Sequence, residues 1–300
     1  MSSEHKDTDS EIIIPDISLF DESLNKTKTS GYCLNMQLSF NDFTYTIYDK
    51  SRNKYIAFEQ YKFDKVYNHY QLNNKLEELI KQLSWLRGTF DRCNLIFINN
   101  KSTLIPVPLY SEEEQETYFN FNHTLEDYEE LSCDKLKSLN AYNLFAIPQN
   151  IKLNIHDLFQ NCQIYHHITS LVETLLLSGR NNSDDKKVYV NVNTSLFDLI
   201  YLEGNKLIYS NSFEYHSKED FTYYVLFALQ QLKQNPNSIE VILTGEIQRN
   251  SELFDVLFKY IRNITFIKRN DAFEYSYVFD KLFPNYYYNL LNLNLLRNEK

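Results

Sequence analysis

Three hundred residues, 43% of them hydrophobic, supply enough apolar surface for one large domain or two ordinary ones. Glycine occurs only at Gly31, Gly88, Gly179, Gly204 and Gly245, which excludes a P-loop or a dinucleotide fingerprint, because both need clustered glycines for backbone approach to phosphate. The formal net charge of −10 argues against nucleic-acid binding, since a negative field repels phosphate backbones.

Residues 1–30 read as a polar N-terminal arm interrupted by Ile12–Pro15 and Leu19–Phe20, two apolar patches able to dock on the main body. Met1–Ser10 has no apolar signal region, and no apolar run reaches the ~18 residues of a membrane span, so a cytoplasmic chain is expected. The four cysteines are too far apart for a zinc or redox motif and read as reduced thiols.

Strands are predicted over Tyr32–Phe40, Phe43–Asp49 and Tyr55–Phe63, joined by turns at Asn41–Asp42 and Ser51–Lys54. In the second, Phe43, Tyr45 and Ile47 alternate with Thr44, Thr46 and Tyr48. A helix from Asn68 to Arg87 carries Leu72, Leu76, Leu79, Ile80, Leu83 and Leu86 on one face and stops at Gly88. Asn94–Ile98 is the next strand.

The middle of the chain, 100–180, is less regular. Pro106 and Pro108 interrupt an extended stretch, Ser111–Asn120 reads as a helix with acidic residues in its first turn, and 121–140 is mixed and acidic. Ala141–Pro148 is a strand, Ile151–Phe159 a helix, Ile164–His166 extended, and Ile168–Ser178 an apolar helix. The polar Asn181–Asp185 is the best domain boundary.

The pattern then returns. Strands Lys187–Asn193, Leu196–Leu202 and Lys206–Tyr215 precede a helix from Lys218 to Gln234, N-capped by Ser217, and a strand Ile239–Thr244. Helix Ser251–Arg262, strand Ile264–Ile267 and a C-terminal helix that packs back on the body complete the reading. Residues 32–99 and 187–244 thus share element order and loop lengths, which predicts a duplicated β-hairpin–β–α–β unit.

Other constellations carry little chemistry. His166-His167 lacks the i, i+4 spacing of a helical metal pair and reads as one packed and one solvated histidine. His156-Asp157 are helix neighbours and do not face each other. The acidic run Glu112–Glu116 reads as a solvated helix face. Tyr223, Tyr224 and Phe227 are expected to pack on the second sheet, and at least one of Tyr286, Tyr287 and Tyr288 to be exposed.

The duplicated unit and the Val241-Ile242-Leu243-Thr244-Gly245 turn resemble the actin-like (ribonuclease H-like) ATPase fold of sugar kinases and heat-shock ATPases. Leu38-Ser39-Phe40, Thr46-Ile47-Tyr48-Asp49, Leu104-Ile105-Pro106 and Phe145-Ala146-Ile147-Pro148 further resemble a Bacteroidetes family built on that fold. The resemblance implies an α/β architecture of mixed sheets with two half-domains around a cleft. It assigns 31–180 to the first half with an insertion, and 181–300 to the second with the C-terminal helix. It also implies ATP and Mg²⁺ in the cleft, held by a hairpin in each half that starts Asp-x-Gly.

The residues at those positions depart from the pattern. Asn35 and Asn191 lack the charge of the metal-organising Asp, and Gln37 and Asn193 put side chains where phosphate oxygens would lie. Thr194 and Ser195 keep hydroxyls, and Gly245 keeps the adenosine-side turn, but Glu246 beside it would repel a nucleotide. These eight residues are the candidate degenerate nucleotide cleft, with no catalytic or metal-binding residue among them. The expectation is a non-catalytic binding or scaffold protein that uses no cofactor and engages another protein. The alternative is a nucleotide-binding protein or weak ATPase that uses the inter-domain cleft.

Overall fold

The computed structural model describes residues 12–178 and 185–296. Its strands are β1 (Ile17–Phe20), β2 (Tyr32–Leu38), β3 (Asp42–Asp49) and β4 (Lys54–Lys62), followed by helix α1 (His69–Gln82) and β5 (Arg92–Phe97). An insertion holds β6 (Ser102–Pro106), α2 (Gln115–Asn120), β7 (Glu129–Leu136) and β8 (Ala141–Pro148). Then come α3 (Gln149–Leu158), β9 (Cys162–His166) and α4 (His167–Ser178). The second unit is β10 (Lys186–Val192), β11 (Leu196–Glu203), β12 (Lys206–Glu214), α5 (Lys218–Gln231), β13 (Glu240–Gly245), α6 (Glu252–Leu257) and β14 (Asn263–Phe266). The tail adds β15 (Glu274–Tyr275) and α7 (Tyr288–Leu291).

The duplication is visible in strand order. The first sheet contains the path β4-β3-β2-β5-β9, and the second runs β12-β11-β10-β13-β14. In each, the first three strands form an antiparallel meander and the last two join in parallel. Both meanders also shift register at the sixth residue of their middle strand, between Ile47 and Tyr48 and between Tyr201 and Leu202. A bulge at the same place in both copies bends both sheets alike.

Local signals explain the helices. Asn68 caps α1 by accepting from Gln71 N, and Ser217 caps α5 by accepting from Asp220 N. Leu72, Leu76, Leu79 and Ile80 bury one face of α1 against the first sheet. Phe221, Val225, Ala228 and Leu229 do the same for α5 on the second.

Several expectations fail for tertiary reasons. Both faces of the alternating β3 are buried, Thr44, Thr46 and Tyr48 included, because the C-terminal tail covers the second face of the first sheet. That tail is no single helix: it runs through β15 and 3₁₀ turns to the four-residue α7, with Tyr287 left-handed at φ 54°. The left-handed residue turns the chain, so Tyr287 and Tyr288 are buried and Tyr286 is half-buried with its hydroxyl accepting from Gln248 Nε2 at 2.7 Å. No member of the trio is exposed. Tyr223 and Phe227 lie opposite the buried stripe of α5 and are exposed, while Tyr224 stacks on Phe213.

The first sheet also extends into the N-terminal arm, because β1 pairs antiparallel with β4. Glu129–Leu136, in the mixed acidic stretch, is a strand and forms a three-stranded sheet with β6 and β8. Most of the predicted boundary, residues 181–184, lies outside the described residues.

Candidate functional site

The turns after β2 and β10 face each other where the two halves meet. Asn41 Nδ2 donates to Ser195 Oγ at 2.9 Å across the gap, and Asn100 Nδ2 donates to Glu214 Oε1 at 2.6 Å beside it. Each turn also uses backbone donors internally. Ser39 N bonds Asp42 O at 2.9 Å, and Asn193 N bonds Leu196 O at 2.8 Å. Those N–H groups are not available to cradle an anion.

Seven of the eight sequence-predicted residues come together. Asn193, Thr194, Ser195 and Glu246 line a pocket of about 270 Å³. Gln37, Asn191, Asn193, Gly245 and Glu246 line an adjoining void of about 10 Å³ that shares Asn193, Glu246 and Ile98 with it. Asn35 does not reach either space: it is fully buried in β2 and accepts from Asn94 Nδ2 at 2.9 Å.

Asn191 is committed to a network the sequence did not reveal. Its Nδ2 donates to Asp198 Oδ2 at 2.9 Å, while Asp198 Oδ1 meets His167 Nε2 at 2.9 Å and Ser212 Oγ at 2.6 Å. Asp198 is fully buried. Burial alone would raise its carboxyl, but His167 and the three hydrogen bonds bring it below the ordinary range. The nearest signal was Asp198 itself, a lone acid inside an apolar strand, and a lone buried acid demands a partner.

Both adjacent histidines are buried. His166 Nε2 contacts Asn99 Oδ1 at 3.0 Å, and burial drives its ring well below the ordinary histidine range. The reading of one packed and one solvated ring fails because α4 starts inside the molecule, between the second sheet, β7 and the tail. His156 and Asp157 are exposed, and the acidic residues Glu112, Glu113, Glu114 and Glu116 are solvated.

Gly245 has a structural reason. Its φ is +81°, and a Cβ there would lie 2.1 Å from Val192 O. The turn is closed by Glu246 N bonding Val192 O at 2.7 Å and by Asn285 of the tail, which accepts from Gly245 N and donates to Gly245 O and Ile247 O at 2.9–3.0 Å.

Next to this turn two carboxylates from opposite halves approach each other. Burial first, then the charge of Asp42, pushes Glu246 up to about 7, with Lys62 and Gln60 pulling the other way. Asp42 is raised by burial although it bonds Ser39 and Thr44. Among the described residues no Lys, Arg or His lines the larger pocket. Among the described residues no group of three His, Cys, Asp or Glu side chains could hold a metal. The residues therefore fit Mg²⁺-nucleotide chemistry poorly: among the described residues no charge-neutralising cation lines the pocket where phosphates would lie.

Comparison with known proteins agrees with the fold. The family described as "Protein of unknown function (DUF3822)" matches residues 21–264. The chain belongs to the DUF3822 family. No curated protein matches it. It is similar to a Bacteroides thetaiotaomicron VPI-5482 protein described as having an actin-like ATPase fold and unknown function. The two are 26% identical with a TM-score of 0.73, over 81% of this chain and 93% of that one. Two more distant structures share the fold alone. One is a PilM-PilN type IV pilus biogenesis complex (13% identity, TM-score 0.52, 88% of this chain and 98% of that one). The other is the ethanolamine utilization protein EutJ from Carboxydothermus hydrogenoformans (8% identity, TM-score 0.51, 93% of each chain). This DUF3822 chain thus has an actin-like ATPase fold, as its duplicated strand pattern and stretches such as Phe145-Ala146-Ile147-Pro148 suggested. No helix among the described residues is long and apolar enough to cross a membrane.

Proposed function

We propose that this chain is a non-catalytic binding or scaffold protein, with its actin-like cleft kept for shape and closed by its own side chains. The observation that carries the reading is the Asn41–Ser195 hydrogen bond of 2.9 Å, which ties the two turns to each other where an ATPase would hold phosphate between them. Asp42 and Glu246 support it, since a buried and a half-buried acid facing one pocket oppose a polyanion. A protein is the partner class that fits best: the neutral and acidic pocket suits no nucleic acid, and the exposed Tyr223–Phe227 stack on α5 offers aromatic contact area.

Titration calorimetry with ATP and ADP, with and without Mg²⁺, tests the reading. No heat is expected at millimolar nucleotide. Submillimolar affinity, or metal-dependent turnover that disappears in Asn193→Ala or Thr194→Ala, would overturn it.

A further inference from the structure

The cleft is not simply a nucleotide site with parts removed; its polarity is reversed. The walls of the 270 Å³ pocket carry three carboxylates, Asp42, Glu214 and Glu246, and no basic side chain, with Lys62 approaching Asp42 and Glu246 from outside the lining. Of the three, Asp42 is buried, Glu246 is half-buried and Glu214 is exposed at the rim, and a carboxylate as buried as Asp42 calls for a cation or a proton.

A second observation lies beneath. The adjoining void of about 10 Å³ has room for one water-sized group. Two residues that line it each keep a polar atom with no hydrogen-bond partner among the described residues, His167 Nδ1 and Asn289 Oδ1. Their side chains are 1% and 5% exposed. His167 Nε2 is engaged by Asp198, and Asn289 Nδ2 donates to His167 O at 3.0 Å, which leaves the other polar atom of each unpaired. Asn289 Oδ1, an unpaired buried acceptor in a space also lined by Glu246, asks for a compact donor with several hydrogens. A guanidinium is too large for the inner void; an ammonium head is water-sized and carries three donors. An unbranched stem would then occupy the outer pocket. Asn193 lines both spaces and keeps an unpartnered Nδ2 donor, which is left for a carbonyl near the stem.

We infer that the cleft takes a primary ammonium group on an unbranched stem, of the kind a lysine side chain of a protein partner presents. This inference rests on the non-catalytic reading above and names what the same site would bind.

The test is titration of the full chain at low salt with Nα-acetyl-lysine methylamide, n-butylamine and Nα-acetyl-norleucine methylamide. Both amines should bind and the norleucine compound should not. A tighter lysine compound assigns the ammonium to a peptide, and equal affinities assign it to a free amine; both results support the ammonium site. Glu246→Gln should weaken amine binding by at least about tenfold, the worth of a charged hydrogen bond. In wild type, binding near pH 7 should release protons, read as a difference in heat between two buffers, so the test does not depend on the variant alone. Equal binding of the norleucine compound, unchanged affinity in a folded Glu246→Gln, or no amine binding at about 50 mM would overturn it. ATP with Mg²⁺, titrated in parallel, separates the two failures: nucleotide binding sinks the non-catalytic reading, whereas silence from both ligands sinks only the ammonium site.

Discussion

Replacing Gly245 by Ala perturbs the one turn that joins β13, the cleft and the tail. The added Cβ would sit 2.1 Å from Val192 O and 2.8 Å from Val192 N, both backbone atoms that cannot rotate away. Keeping φ at +81° with a side chain costs about 1–2 kcal/mol. Relieving the clash moves the Val192 carbonyl and breaks its 2.7 Å bond to Glu246 N, worth about 1 kcal/mol. The Asn285 bonds to Gly245, at 2.9 and 3.0 Å, strain with it. A loss of about 3–5 kcal/mol is expected, a large fraction of the 5–15 kcal/mol that holds a typical domain. Urea unfolding followed by circular dichroism reads this as a lower midpoint at unchanged slope. The matched control is Gly31→Ala, where nothing lies within 4 Å of an added Cβ, and it should stay within about 1 kcal/mol of wild type. A Gly245→Ala loss below about 1 kcal/mol would refute the close-approach argument.

Other outcomes follow from the same structure. Asp198→Ala strands the donors of Asn191, His167 and Ser212 in the core and should cost about 3–5 kcal/mol by denaturant unfolding. Glu246 is raised from an ordinary 4.5 to about 7, so the native state holds a proton that the unfolded chain has released between those values. Stability should therefore fall as pH rises through that window, and Glu246→Gln should flatten the fall; a steeper slope in the variant would contradict the assignment. Cys33, Cys93 and Cys162 are buried and Cys133 is exposed, so Ellman's reagent should find one accessible thiol in the native protein and four after denaturation.

Period-2 runs, Asn68 and Ser217 as caps, and the recurrence of one strand–helix order were enough to read the duplicated plan from the sequence, because these signals are local. The resemblance then pointed to the turns at 193–195 and 245–246, which do meet at one pocket. Asn35 was misplaced because a residue's distance from a cleft depends on how far its strand end stops short, not on its type.

What the sequence determined by itself was the repeated unit and the faces of α1 and α5, with Asn and Gln at the hairpin positions where the resemblance implies Asp and Gly. Only the tertiary structure decided the rest. The tail turns at left-handed Tyr287, covers the second face of β3 and brings Asn285 and Asn289 to the cleft from about forty to a hundred and twenty residues away in the chain. Likewise Asp42 and Glu246 become neighbours only because two separately folded sheets face each other, and burial between them sets their charge. Side-chain alternation and caps act within a few residues of sequence; desolvation and the pairing of distant acids act through space, where chain order carries no record.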